Sequence, residues 1–245
     1  MKTRHRPLAR KVDDPPAGIA DLHVHTDHSD GQDTVSEVLA WAAYIGVDVI
    51  AITDHDTIEG AVIARELARA RSGPEVIVGE EVSSREGHIL ALFIHHRVEA
   101  DMSAQETIRA IHAQGGLAIA AHPFWRADSV DHKGRGYGVA DRIAELPFDA
   151  VEVLNGGFTP SMIGANRRAG RVSETLGRTR VGGSDAHVKH AIGWAHTRFR
   201  GTSAHDLRLS IMAGRTSTGR SPLHLTGVRR YATWSLTRLR FRTAI

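Results

Sequence analysis

Two periods of apolar spacing alternate along this chain. Ile19–Val24, Val47–Thr53, Glu75–Val82, His88–Ile94, Leu117–Ala121, Ala150–Leu154, Arg180–Gly182 and Ala195–Phe199 are short, largely apolar runs of strand length. Val47–Thr53 reads as a strand covered on both faces, the mark of a parallel sheet. Between the runs lie helical patterns. Thr34–Tyr44 carries Leu39, Ala42 and Ala43 on one side and is stopped by Gly46. Thr57–Arg71 ends at Ser72-Gly73-Pro74. Ser103–Gln114 opens on a capping box of Ser103 and Glu106 and ends at Gly115-Gly116. Val139–Leu146, part of Met162–Leu176, and Ser203–Ala213 complete the set. The polar turn Ser83–Gly87 joins two successive strands, and Gly134–Gly138 is a glycine-rich loop.

This makes about seven βα units in a row, which predicts a parallel sheet with right-handed crossovers. Polar residues at the C-terminal ends of the strands favour a closed barrel over an open sheet. Residues 1–17 fall outside the pattern: they are polar and basic, hold Pro7, Pro15 and Pro16, and read as a disordered lead. Residues 18–222 form the barrel domain. Residues 223–245 form a basic tail in which Trp234, Leu236, Leu239 and Phe241 interleave with arginines; an edge strand, a docking helix and a membrane-surface segment all suit it.

Composition narrows the class. A chain of 245 residues, 41% hydrophobic, suits one α/β barrel or two small domains. No run approaches the roughly 18 apolar residues a bilayer demands. The basic start lacks the apolar core of a signal peptide, so a cytoplasmic location is expected. With no cysteine, any metal is held by nitrogen and oxygen. Five basic residues and no acid precede residue 13, and five more with no acid follow residue 222, so the net charge of +3 leaves −7 for residues 13–222. An acidic body fits carboxylates that hold divalent cations. The basic ends are solubilising tails or a point of contact for nucleic acid or anionic lipid.

The chemistry sits where the apolar runs end. Asp21-Leu22-His23-Val24-His25, Thr53-Asp54-His55, Gly79-Glu80-Glu81, Ala121-His122-Pro123 and Gly183-Ser184-Asp185-Ala186-His187 each close a strand with an imidazole or a carboxylate. His23 and His25, two apart on a strand, point the same way. Asp30, before Gly31, reads as a carboxylate folding back to the same ion or as a turn residue. Asp54 reads as a partner orienting His55. Of Glu80 and Glu81, one faces inward and the other outward. Each histidine alone passes for a satisfied core residue. A shared strand-end position argues for convergence, and the candidates are too many for one ion, so two or three metals bridged by carboxylates are expected.

These motifs resemble those of the PHP (polymerase and histidinol phosphatase) superfamily, over residues 19–220. The resemblance implies an α/β fold, a distorted (β/α)7 TIM-like barrel with a metal cluster at the C-terminal ends of its strands. It also implies two or three ions of Mn, Fe or Zn held by His23, His25, Asp30, His55, Glu81, His88, His122, Asp185 and His187, the same residues apart from His88 being the catalytic set. The activity implied is hydrolysis of a phosphate ester (a small phosphomonoester, a nucleotide phosphate or an oligonucleotide end) by a metal-bound hydroxide. Arg126, Arg135 and Arg167, with Lys133 and Arg168, follow strands and are candidate phosphate contacts; His190 and His196 are candidate leaving-group acids; Trp125 and Phe124 pack the rim or stack on a ring. No obligate protein partner is evident. An amidohydrolase would supply a bridging lysine, and none lies between Lys11 and Lys133. The alternative from another class is a non-catalytic, metal-stabilised nucleic-acid-binding module.

Overall fold

The computed structural model describes residues 17–70, 72–223 and 225–242. The expected disordered lead lies outside them except for Ala17, which opens the first strand. Nine strands form one sheet: β1 (Ala17–Asp21), β2 (Val49–Ile52), β3 (Glu75–Ser83), β4 (His88–Leu92), β5 (Leu117–Ala120), β6 (Ala150–Asn155), β7 (Arg180–Gly183), β8 (Ala195–Arg200) and β9 (Ser217–Arg220). Their order is β7-β6-β5-β4-β3-β2-β1-β8-β9. The sheet curls until its two halves meet, where Val24 bridges Ala186 and the Gly182 N–H donates to Thr197 Oγ1 at 2.8 Å. The result is a nearly closed, TIM-like α/β barrel.

Two expectations need correction. The sheet is not wholly parallel: β4 runs antiparallel to β3 and β5, and β8 runs antiparallel to β1 and β9. The cause is local for β4, because the short turn after Ser83 is a connection that only antiparallel neighbours allow. Among the described residues there are also nine strands, one more than the eight apolar runs of a seven-unit barrel; the addition, β9, is the short polar segment Ser217–Arg220, which carries no apolar alternation.

Among the described residues six α-helices accompany the sheet: α1 (Val35–Ile45), α2 (Glu59–Arg69), α3 (Ala104–Ala113), α4 (Pro160–Thr175), α5 (Ala204–Met212) and α6 (Leu225–Arg242). Capping boxes at Thr34/Glu37, Ser103/Glu106 and Ser203/Asp206 start three of them. Gly46, at φ +80°, ends α1 in the left-handed conformation that glycine adopts without penalty. The segment 139–146 yields only a 3₁₀ turn, Ala140–Ala144.

Two cores follow from strand alternation. Leu22, Val49, Ala51, Ile77, Leu90, Leu92, Leu117, Ile119, Ala150 and Val181 pack together from strands all round the sheet and so fill the barrel interior. Leu207 and Ile211 of α5 join them. The Ala204 N–H donates to Glu75, the Arg208 guanidinium to the Gly115 carbonyl and the Thr179 hydroxyl to the Ile211 carbonyl, all at strand starts. Helix α5 therefore plugs the barrel end opposite the strand C-termini. The outer core buries α1 to α4 against the other face through residues such as Leu39, Ala64, Ile108 and Ala169.

Residues 225–242 of the tail, for which three forms were open, form helix α6. Gly227 is buried, and a Cβ there would lie 2.7 Å from Trp194 Cζ2. Tyr231 packs on Phe158 and Trp194. Among the described residues no helix is long and apolar enough to cross a membrane.

Candidate metal centre

The end of the barrel left open by α5 gathers side chains from far-apart positions. The ladder of β1 stops at Asp21, whose carboxylate accepts from the Ser184 N–H (2.8 Å), the Gly193 N–H (2.8 Å) and the His23 N–H (3.3 Å). This knot ties β1 to the chain after β7 and sets His23 and His25 facing Asp185. Burial pushes Asp21 up to about 6, against those hydrogen bonds. After β2, Asp54 accepts from the Thr26 N–H and hydroxyl (both 2.7 Å) and the Ser29 hydroxyl (2.6 Å). Asp54 thus clamps the loop that carries Asp30, and does not orient His55 as expected.

Glu81, near the end of β3, is the hub. Its carboxylate lies 3.0 Å from His23 Nε2, 3.2 Å from His25 Nε2, 3.3 Å from His55 Nδ1, 2.8 Å from His88 Nδ1 and 3.0 Å from His122 Nε2. Glu80 points outward, as alternation requires, and accepts from the Val98 N–H at 2.8 Å. Asp185 stands 3.5 Å from His23 Nε2 and 3.2 Å from His25 Nε2; Asp30 stands 3.1 Å from His187 Nε2 and 3.9 Å from His55 Nε2. The nine residues expected to converge are brought together. Because β4 is reversed, His88 enters the cluster from the start of its strand while Glu81 enters from the end of the neighbouring one.

His122 (φ +26°) and Asp185 (φ +54°) occupy the left-handed region, where non-glycine backbone is strained. Such strain is kept where surrounding structure over-determines it, commonly at functional sites.

Burial penalises every charge here, and the outcome depends on neighbours. Despite burial, His25 is raised to about 10 by Asp185, Glu81 and Asp30, and His23 is raised well above its ordinary value by Glu81, Asp185 and Glu152. His55 is lowered to about 4 by burial, with His25 and His88 adding repulsion. Burial alone would raise Glu81 and Asp185, but the imidazoles hold both well below the usual carboxylate range. A divalent cation would serve the same carboxylates that these protons now serve.

Donor chemistry supports that fit. Nδ1 of His122 is buried without a hydrogen bond, and the ring nitrogens of His25 lie 3.2–3.5 Å from carboxylates but outside hydrogen-bond geometry, an unusual state unless they face a ligand. In the neutral ring, Nδ1–H of His187 donates to the Asp185 carbonyl at 3.0 Å, which puts the lone pair on Nε2, the atom 3.1 Å from Asp30. Three overlapping donor groups lie within ion-binding reach: His25, Asp30, His55 and His187; His23, His25, Glu81 and Asp185; and His55, Glu81 and His88.

Sequence reasoning overlooked Glu152 and Asn155. Glu152, buried on β6, stands 3.0 Å from His23 Nδ1 and accepts from the His122 N–H at 2.9 Å. Asn155 Nδ2 donates to Glu152 (3.2 Å) and Asp185 (3.1 Å). The signal was available, since a lone glutamate in the apolar run Ala150–Leu154 is costly unless partnered.

The candidate phosphate contacts diverge. Arg126 lies with its guanidinium 4.4 Å over the Tyr137 ring, and Tyr137 and Trp125 edge His88 and His122 at 5.8 and 5.5 Å. Arg135 is held by Asp131 (2.8 Å), Asp56 (3.3 Å) and Asp101 (3.6 Å). Arg167 is exposed on α4, and Arg168 pairs with Asp141 and covers Phe124. His190 packs on Trp41, and His196 turns its Nδ1 toward the Gly193 carbonyl. The glycine-rich loop is packed down: Cβ atoms at Gly136 and Gly138 would strike the Glu86 and Pro123 carbonyls.

A barrel mouth lined with six histidines and three carboxylates defines a class, the metal-dependent hydrolases. Comparison with known proteins narrows it. The PHP domain model matches residues 21–132 and the PHP-associated model residues 164–216. An uncharacterized protein of Methanocaldococcus jannaschii is 40% identical over 147 residues, 56% of this chain and 81% of that one. A phosphoribosyl 1,2-cyclic phosphate 1,2-diphosphodiesterase of Eggerthella lenta is 46% identical over 88 residues, 34% of this chain and 33% of its own length. Among solved structures, a two-domain protein of Bacteroides vulgatus, described as containing a predicted PHP-like metal-dependent phosphoesterase, superposes with a TM-score of 0.71 at 19% identity over 90% of this chain and 69% of that one. The chain belongs to the PHP domain family. It is a hydrolase acting on phosphoric ester bonds.

Proposed function

We propose that the mouth binds two or three divalent ions of Mn, Fe or Zn and hydrolyses a phosphate ester carried by a small molecule, a nucleotide or an oligonucleotide end. The observation that carries this reading is Glu81, one buried carboxylate within 3.3 Å of five imidazoles. That is the arrangement expected of a group bridging ions. His23, His25, Asp30, His55, Glu81, His88, His122, Asp185 and His187 would hold the ions, and the three overlapping donor groups support more than one. Ions bound there would activate water and neutralise charge developing on the phosphoryl oxygens.

The remaining work falls to the chain itself. Glu152 and Asn155 fix the His23 ring and the Asp185 carboxylate from behind. Trp125 and Tyr137 wall the His88 and His122 side and exclude water there. Arg126, exposed above Tyr137, is the cation best placed to meet a phosphoryl group. Arg135, already engaged by three carboxylates, shapes the rim instead.

Manganese-loaded protein is expected to hydrolyse a generic aryl phosphate, with a panel of phosphorylated metabolites and short oligonucleotides ranking the substrates. No turnover with any of Mn, Fe or Zn, on any member of that panel, would refute the reading.

A further inference from the structure

Helix α6 lies beyond both family matches, which end at residues 132 and 216. Its inward face is Gly227, Val228, Tyr231 and Trp234, the i, i+1, i+4, i+7 spacing of a docked helix. Gly227 lets the helix approach the His190 carbonyl, 3.0 Å from where its Cβ would be. One turn on, Arg230 reaches within 3.9 Å of Asp33, and Tyr231 packs on Trp194. The next turn brings Trp234 to the metal centre. Its indole Nε1–H donates to the Asp30 carbonyl at 2.9 Å, and its ring stacks on His187 with centroids 4.1 Å apart, tilted by 32°.

Asp30 and His187 belong to one donor group, with His25 and His55. They come from two loops, tied together by the Gln32 N–H donating to the His187 carbonyl at 2.9 Å. Trp234 touches both loops at once: the indole N–H fixes the backbone that carries Asp30, and the indole face covers one face of the His187 imidazole. A ligand oriented from outside binds its ion more tightly, because less rotational freedom is lost on coordination.

We propose that Trp234 is a positioning residue of the centre, so that the ion site built by His25, Asp30, His55 and His187 is complete only with α6 docked. This rests on the metal-centre reading above. Outer partners of metal ligands typically contribute about 10–100-fold in metal affinity.

The test uses the full chain loaded with manganese or zinc. Ion content per chain is measured by mass spectrometry and affinity by competition with a chelator, on wild type, Trp234→Ala, Trp234→Phe and His25→Ala. Leu236→Ala, on the exposed side of the same helix, is the control. Trp234→Ala is expected to hold one ion at least ~10-fold more weakly. Trp234→Phe keeps the stack and loses the donor, so it falls between Trp234→Ala and wild type; Leu236→Ala matches wild type. Unfolding of the metal-free proteins shows whether each variant folds, and if Trp234→Ala does not, Trp234→Phe decides. Unchanged affinity in both Trp234 variants, with ions lost from His25→Ala, overturns the proposal and leaves the metal centre standing. Wild type that holds no ion overturns both.

Discussion

At Glu81 the physics is most concentrated, because a carboxylate ringed by five imidazoles at 2.8–3.3 Å has no purpose in an apolar barrel except charge balance. If it bridges ions, Asp185→Asn or His25→Ala is expected to lower turnover of an aryl phosphate at least ~100-fold, the order lost with a key electrostatic group. Glu152→Gln tests the tier behind: it retains a partner for the His122 N–H but no longer holds His23 by charge, so a ~10–100-fold drop in activity or ion affinity is expected. A Glu152→Gln enzyme with wild-type kinetics and ion retention would count against that role. The cluster was legible because polar residues at strand ends share one end of the barrel whatever the loops do. Asp54 was misread because adjacency to His55 was taken for contact, whereas in a strand neighbours point apart and Asp54 faces Thr26.

Elements announced by short-range chemistry were read well. The Ser103/Glu106 box starts α3 as expected, and Gly46 ends α1. Ser103→Ala is expected to cost about 1 kcal/mol, seen as a lower urea midpoint at unchanged slope, with turnover unaffected. What was missed depends on partners. Strand β9 exists only because β8 offers it a ladder, and α6 was undecided because its inward face gains meaning only against Trp194 and His187. At the seam, Gly183 lets β7 lie close to β1: a Cβ there would sit 2.6 Å from His23 Cβ and 2.9 Å from Glu152 Oε1. Gly183→Ala is therefore expected to destabilise by ~1–3 kcal/mol and to depress activity with it. A variant of wild-type stability and rate would show that the seam yields freely.

For the molecule as a whole, the centre is also a fastening. Its ligands come from segments spanning His23 to His187, so ions bound there favour the folded chain over the unfolded one. Saturating metal at a thousand times Kd would add about 4 kcal/mol per site, and chelation is expected to lower the melting temperature, with recovery on re-addition. A melting temperature indifferent to chelator would contradict this. The barrel was legible as a whole because alternation of strand and helix survives two reversed strands. The closing partner was not, because β1 pairs with a strand some 180 residues away. That pairing has a consequence for biosynthesis. While the chain is still on the ribosome, one flank of β1 stays open until Arg200 has emerged, exposing an unpaired edge of the kind that sticks to other nascent chains. The donor group of His25, Asp30, His55 and His187 is likewise incomplete until His187 has cleared the exit tunnel, so an ion held there would be loaded after the earlier ligands have emerged.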